Sequence, residues 1–84
     1  SPVAESETLS PEDAARERLI FGLRRLEGVS LADFQRETSF EVSELVGPDL
    51  ERFVEMGLLE FHDGRLRLTR DGLLVSDAIW TEIL

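Results

Sequence analysis

The stretch from Gly57 to Gly72, GLLEFHDGRLRLTRDG, constrains this chain more than any other. It reads as a helix end, a strand, an Asp63-Gly64 turn, a second strand and the start of another helix. Asp-Gly between two apolar-patterned runs signals a two-residue hairpin, because a type I′ turn needs positive φ at both central positions. In the second strand Leu66 and Leu68 share one face while Arg65 and Arg67 share the other. A chain built around so short a hairpin must pack it on helices, since an isolated pair of strands is marginal in water.

Helical signals flank the hairpin. Ser10-Pro11-Glu12-Asp13 is a helix start: a Ser cap, Pro at the first position, and acids facing the positive end of the dipole. The spacing predicts a first helix from Pro11 to about Leu26, with Ala15, Leu19, Leu23 and Leu26 as its buried stripe. Gly28 supplies positive φ after it. Ser30 caps a short second helix, Leu31 to about Thr38, with Asp33 at the third helical position and Leu31 and Phe34 facing the core. A third helical region spans about Val42 to Met56 and breaks at Gly47-Pro48, because proline removes a donor and clashes with the preceding turn. Pro48 is expected to open the longer piece, whose core face is Leu50, Phe53 and Val54. Gly57 ends it. Thr69 caps a terminal helix that runs to about Ile83. The expected architecture is α+β and winged-helix-like: three helices, a two-stranded hairpin and a C-terminal helix. Ser1 to Leu9 are small, polar and acidic and read as a flexible linker; residues 10–84 form the domain.

Composition narrows the function. Eighty-four residues make one small domain with little room for an enclosed active site. There is no cysteine, so this chain forms no disulfide and offers no thiolate nucleophile or thiolate metal ligand. No uncharged run is long enough to span a bilayer, and no signal-peptide pattern opens the chain. A cytoplasmic location is expected. Nine arginines face eighteen acidic residues, for a net charge of −9. Nucleic acid is a polyanion, and this balance opposes binding it.

Several residues invite a chemical reading. His62, the only histidine, offers an axial ligand to haem iron or another metal. No second ligand stands at a recognisable spacing, so we read it as an exposed strand-end residue. Glu41/Glu44 and Glu51/Glu55 lie at helical spacing and read as a solvated face rather than an acid–base pair. The third helical region would present Glu41, Ser43, Glu44, Asp49, Glu51, Arg52 and Glu55 outward, which is repulsive to phosphate. Arg65, Arg67 and Arg70 form a basic wing. It either receives an acidic surface or a propionate-bearing ligand, or it guards the short hairpin against edge pairing. We assign no catalytic, cofactor-binding or metal-binding residue.

The terminal helix carries Leu73, Leu74, Val75, Ala78, Ile79, Trp80, Ile83 and Leu84, more apolar residues than one buried stripe needs. Two readings stay open. Trp80, Ile79 and Leu73 form a docking face for the rest of a larger protein, or the helix sinks into the domain's own groove.

The order of motifs resembles the C-terminal domain of the oxygen-independent coproporphyrinogen III oxidase-like radical S-adenosylmethionine (SAM) family, which includes the related haem chaperones. The resemblance rests on ERLIFGLRRLEGVSLADF (Glu17 to Phe34), on Phe40 to Gly47, and on ERFVEMGLLEFHDGRLRLTRDGLLVSDAIWTEIL (Glu51 to Leu84). Its cues are E-x-L-x-x-G-L-R-x-x-E-G-V, then L-x-x-F, a G-L-L turn, and L-T-x-x-G-x-x-x-S-D-x-I. The resemblance implies a parent with an N-terminal radical SAM barrel, a [4Fe–4S] cluster on three cysteines, S-adenosylmethionine, and haem for the haem-transfer members. The barrel is then this domain's partner. None of the cluster motif is present here, so no catalytic residue carries over. The expected function is an accessory domain of a porphyrin-synthesis or haem-transfer protein, with no catalytic centre of its own. The alternative is a stand-alone winged-helix module for protein interaction or regulation.

Overall fold

The computed structural model describes residues 10–83; the linker expected over Ser1 to Leu9 lies outside them. Six helices and three strands follow in the described chain: α1 (Pro11–Leu23), β1 (Val29–Ser30), α2 (Leu31–Thr38), α3 (Val42–Val46), α4 (Asp49–Glu55), β2 (Leu59–His62), β3 (Arg65–Leu68), α5 (Arg70–Leu74) and α6 (Ser76–Ile83). The fold is α+β, as expected.

The hairpin forms in the expected register. His62 pairs with Arg65, Phe61 with Leu66, Glu60 with Arg67 and Leu59 with Leu68. Asp63 and Gly64 take φ of 52° and 74°, the two positive values of a type I′ turn. Leu66 and Leu68 are buried, and Arg65 and Arg67, which alternate with them, are half-buried. The sheet, however, has three strands in the order β1-β3-β2, not two. Val29 pairs with Leu66 and Ser30 with Arg65, antiparallel. A two-residue strand has too few positions to show alternation, so its sequence carries only the Ser30 cap. That cap is also present: Ser30 Oγ accepts from Asp33 N at 3.3 Å.

Three helix boundaries differ from expectation. The first helix ends at Leu23, and Leu26 is 83% exposed rather than buried. Beyond Leu23 the chain tightens, with Arg25 N bonding Gly22 O and Gly28 N bonding Arg25 O. This delivers Val29 to the sheet and turns Leu26 outward. Ile20 fills the stripe in its place. The break at Gly47-Pro48 is present, but Pro48 is the N-cap of α4 rather than its first residue. Within α4, Leu50 and Phe53 are buried and Val54 is half-buried. The terminal helix is two helices, with Val75 between them at φ −119° and ψ 25°. Val75 is β-branched, and Ser76-Asp77 are residue types that favour a helix start over its interior. Apolar content alone does not register this restart.

A single core joins all layers. Leu19, Leu23, Leu59, Leu66 and Ile79 are its most deeply buried large side chains. Full burial of each such side chain stabilises by about 1.5–3 kcal/mol. Two glycines let the layers approach. Gly28 has φ of 75°, and a Cβ there would meet the Leu66 carbonyl oxygen and Arg67. Gly72, in α5, faces the Leu58 carbonyl with no room for a Cβ.

Candidate docking surface

The terminal helices divide the apolar residues into two sets. Ile79 and Trp80 are 1% and 7% exposed, buried in the domain's own core with Ile83. The docking role expected of these two is corrected: they hold α6 on the domain. Arg24 also covers the Trp80 ring, with its guanidinium carbon 5.9 Å from the centroid. Leu73 remains at the surface, beside Leu74 and Val75, exposed at 45%, 80% and 43%. The kink at Val75 puts this run on the outside. Ser76 opens a helix whose buried side is set by Ile79, Trp80 and Ile83.

A groove of about 530 Å³ adjoins this run, lined by Met56, Leu58, Val75 and Ala78 among others. Met56 is 60% exposed on its rim. Arg52 and Glu82 pair across its mouth at 3.0 Å. Sequence spacing missed Met56, because the residue that caps a helix can fall on either side of its apolar stripe. The surface is therefore apolar and shallow, and it is built on the end of α4, α5 and the start of α6.

The basic wing is dispersed by pairing. Arg67 Nε bonds Glu60 Oε2 at 2.6 Å across the hairpin. Arg65 Nη1 reaches the Gly28 carbonyl at 3.5 Å. Arg70 is exposed on α5, past the Thr69 cap. Of the three, Arg65 and Arg67 share a strand face, and both have protein partners. His62 is exposed, with Nε2 3.2 Å from the carboxylate of Asp63. Among the described residues, no group of three His, Cys, Asp or Glu side chains stands where it could hold a metal ion.

The carboxylate pairs separate into two roles. Glu44 accepts from the backbone N–H of Glu41 at 2.8 Å and closes the start of α3. Glu51 and Glu55 are exposed on α4. They border a second groove beside Phe61, which sequence reading also missed. Phe61 shares the inward face of β2 with buried Leu59, yet it is 52% exposed because β2 is an edge strand. No helix among the described residues is long and apolar enough to cross a membrane.

The fold and surface thus describe a small α+β domain with an exposed apolar face. Compared with protein-family models, residues 9–75 match the HemN C-terminal domain. The chain belongs to this family, whose domain is the C-terminal part of a larger HemN-like protein. No curated protein and no solved structure matches the chain. The matched span includes Gly28 and Gly72, whose close backbone contacts give a physical reason for glycine at both positions of the motif.

Proposed function

We propose that this chain is the C-terminal accessory domain of a coproporphyrinogen III oxidase-like radical SAM protein, acting in porphyrin synthesis or haem transfer in the cytoplasm. The domain has no catalytic centre of its own. It packs on the parent's barrel through Leu73, Leu74, Val75 and Met56, and helps to cover the site there. One observation carries the docking reading: three consecutive large apolar residues, Leu73 to Val75, are exposed side by side, with exposed Met56 beside the groove that Val75 lines. Such a patch marks an interaction surface. Rigid apolar contact between domains is the ordinary way an accessory domain is held in a fixed place.

The parent's cofactors do not fit this chain. A cluster held by three cysteines needs thiolates, and the chain has none. The cluster and S-adenosylmethionine belong to the barrel in this reading, and no chemical step is routed through the residues here.

The test is reconstitution. The N-terminal part of the full-length gene product is expressed without this domain and titrated with the purified chain. Saturable binding, weakened at least about tenfold by Leu74→Asp, is expected; a tenfold loss corresponds to about 1.4 kcal/mol. Absence of binding, or binding indifferent to Leu74→Asp, contradicts the docking face.

A further inference from the structure

On the opposite side of α4 from Met56 lies a groove of about 690 Å³, lined by Pro48, Leu50, Val54, Phe61, Glu51 and Glu55 among others. Its neighbour, of about 210 Å³, shares Phe61 and Leu50 and adds Glu41. No cationic side chain lines either one. The floor is apolar, the rim is acidic, and Phe61 stands half-exposed between them.

The backbone beside Phe61 is also open. β2 is an edge of the sheet. His62 and Arg65 flank the two-residue turn and form a hydrogen-bonded pair, so the next pair, Phe61–Leu66, is not hydrogen-bonded. Leu66 directs its backbone groups to Val29 on the far side. By the same alternation Phe61 directs its N–H and C=O outward, away from β3. A strand edge with unpaired groups is a template for another segment.

We propose that β2 and the Phe61 groove receive an extended, cationic segment of a separate protein. In that segment apolar residues alternate with arginine or lysine. The apolar residues pack on Phe61, Leu50 and Val54, the cations meet Glu51 and Glu55, and the backbone pairs with Phe61. Charge complementarity selects the sign: the rim is acidic on a domain of net charge −9. The same feature points to a reversible partner. The cores of permanent interfaces are depleted of charge, whereas charged rims steer encounter and exchange. The inference goes beyond the accessory-domain reading and does not depend on it, because the two surfaces lie on opposite sides of α4.

The experiment is an NMR titration of the ¹⁵N-labelled chain with a synthetic peptide in which arginine alternates with valine. A peptide alternating glutamate with valine is the control. Three variants are compared: Phe61→Ser, the pair Glu51→Gln/Glu55→Gln, and the exposed pair Glu17→Gln/Glu27→Gln, which lines neither groove. Circular dichroism verifies that each is folded. Amide shifts centred on β2 and α4 are expected. Affinity should fall about tenfold in the Phe61 variant and in the first glutamine pair, and less than about twofold in the second pair, which removes equal charge. Equal losses from the two glutamine pairs would reduce the effect to net charge and overturn the proposal. So would shifts centred on α1, equal binding of the glutamate peptide, or no binding at low salt. If Phe61→Ser unfolds the chain, the two glutamine pairs alone decide the outcome.

Discussion

Gly72 sits against the backbone carbonyl of Leu58, so close that a Cβ on residue 72 would collide with it. The same carbonyl accepts from Thr69 N at 3.0 Å, and Thr69 Oγ1 accepts from Gly72 N at 3.0 Å. This knot ties the end of α4 to the start of α5, and it fixes where the exposed run Leu73 to Val75 begins. Alanine is ordinarily favoured over glycine in a helix by roughly 1 kcal/mol. Here the collision is with backbone, which cannot move aside as a side chain would. Gly72→Ala should destabilise the chain by about 1–3 kcal/mol, the usual cost of overpacking. Urea unfolding of the two proteins measures it; an unchanged or raised midpoint contradicts the packing.

Trp80 and Leu74 should behave in opposite ways in the isolated chain. Trp80 is 7% exposed and Leu74 is 80% exposed. Trp80→Ala should cost about 3–5 kcal/mol through lost burial and a residual cavity. Leu74→Ala should stay within about 0.5 kcal/mol, as surface substitutions usually do. Chemical denaturation of both variants tests the division of the terminal helices into a core part and a surface part.

The Thr69 cap can be weighed by itself. Thr69→Val keeps the shape of the side chain and removes the acceptor for Gly72 N, along with the donor to the Gly57 carbonyl. Loss of an N-cap costs about 0.5–2 kcal/mol. Thermal unfolding should show a lower midpoint for Thr69→Val and a smaller loss for Thr69→Ser, which retains both bonding atoms.

Duplex DNA should bind this chain no better than weakly and without sequence dependence at physiological salt. Glu41, Glu44, Glu51 and Glu55 are all exposed along α3 and α4. Acidic residues there repel phosphate, and affinity for duplex DNA rests largely on phosphate neutralisation. A fluorescence-anisotropy titration giving sub-micromolar, sequence-dependent binding would overturn this reading.

Local chemistry was the legible part of the sequence. Asp63-Gly64 specified the turn, Ser10, Ser30 and Thr69 specified helix starts, and Gly47-Pro48 specified a break. Each of these acts within a few residues of itself, so the pattern alone suffices. Long-range pairing was not legible. Val29 enters the sheet because Gly28 lets the chain approach Leu66, and nothing in the residues near Val29 states that partner. The proposed docking surface was half-legible. Eight apolar residues in the terminal region exceed one stripe, but which of them face inward depends on the rotation introduced at Val75. Leu73 stayed outside, while Ile79 and Trp80 turned in. Phe61 was missed for a related reason: alternation assigns it to the core face, and only its place on the edge strand exposes it.

Under the proposed docking, Leu73, Leu74 and Val75 are covered in the intact parent protein. Because this chain has no cysteine, Leu74→Cys places a single reporter thiol on the docking face. Leu26→Cys, at a residue 83% exposed and outside that face, is the control. Maleimide labelling is followed by peptide-resolved mass spectrometry, so that thiols elsewhere in the parent do not interfere. In the isolated chain both thiols should react at similar rates. In the full-length gene product labelling at Leu74→Cys should slow at least about tenfold relative to Leu26→Cys, as expected for a site opened only by local or interdomain excursions. Equal rates at the two positions in the full-length protein would contradict the docking face and the role built on it.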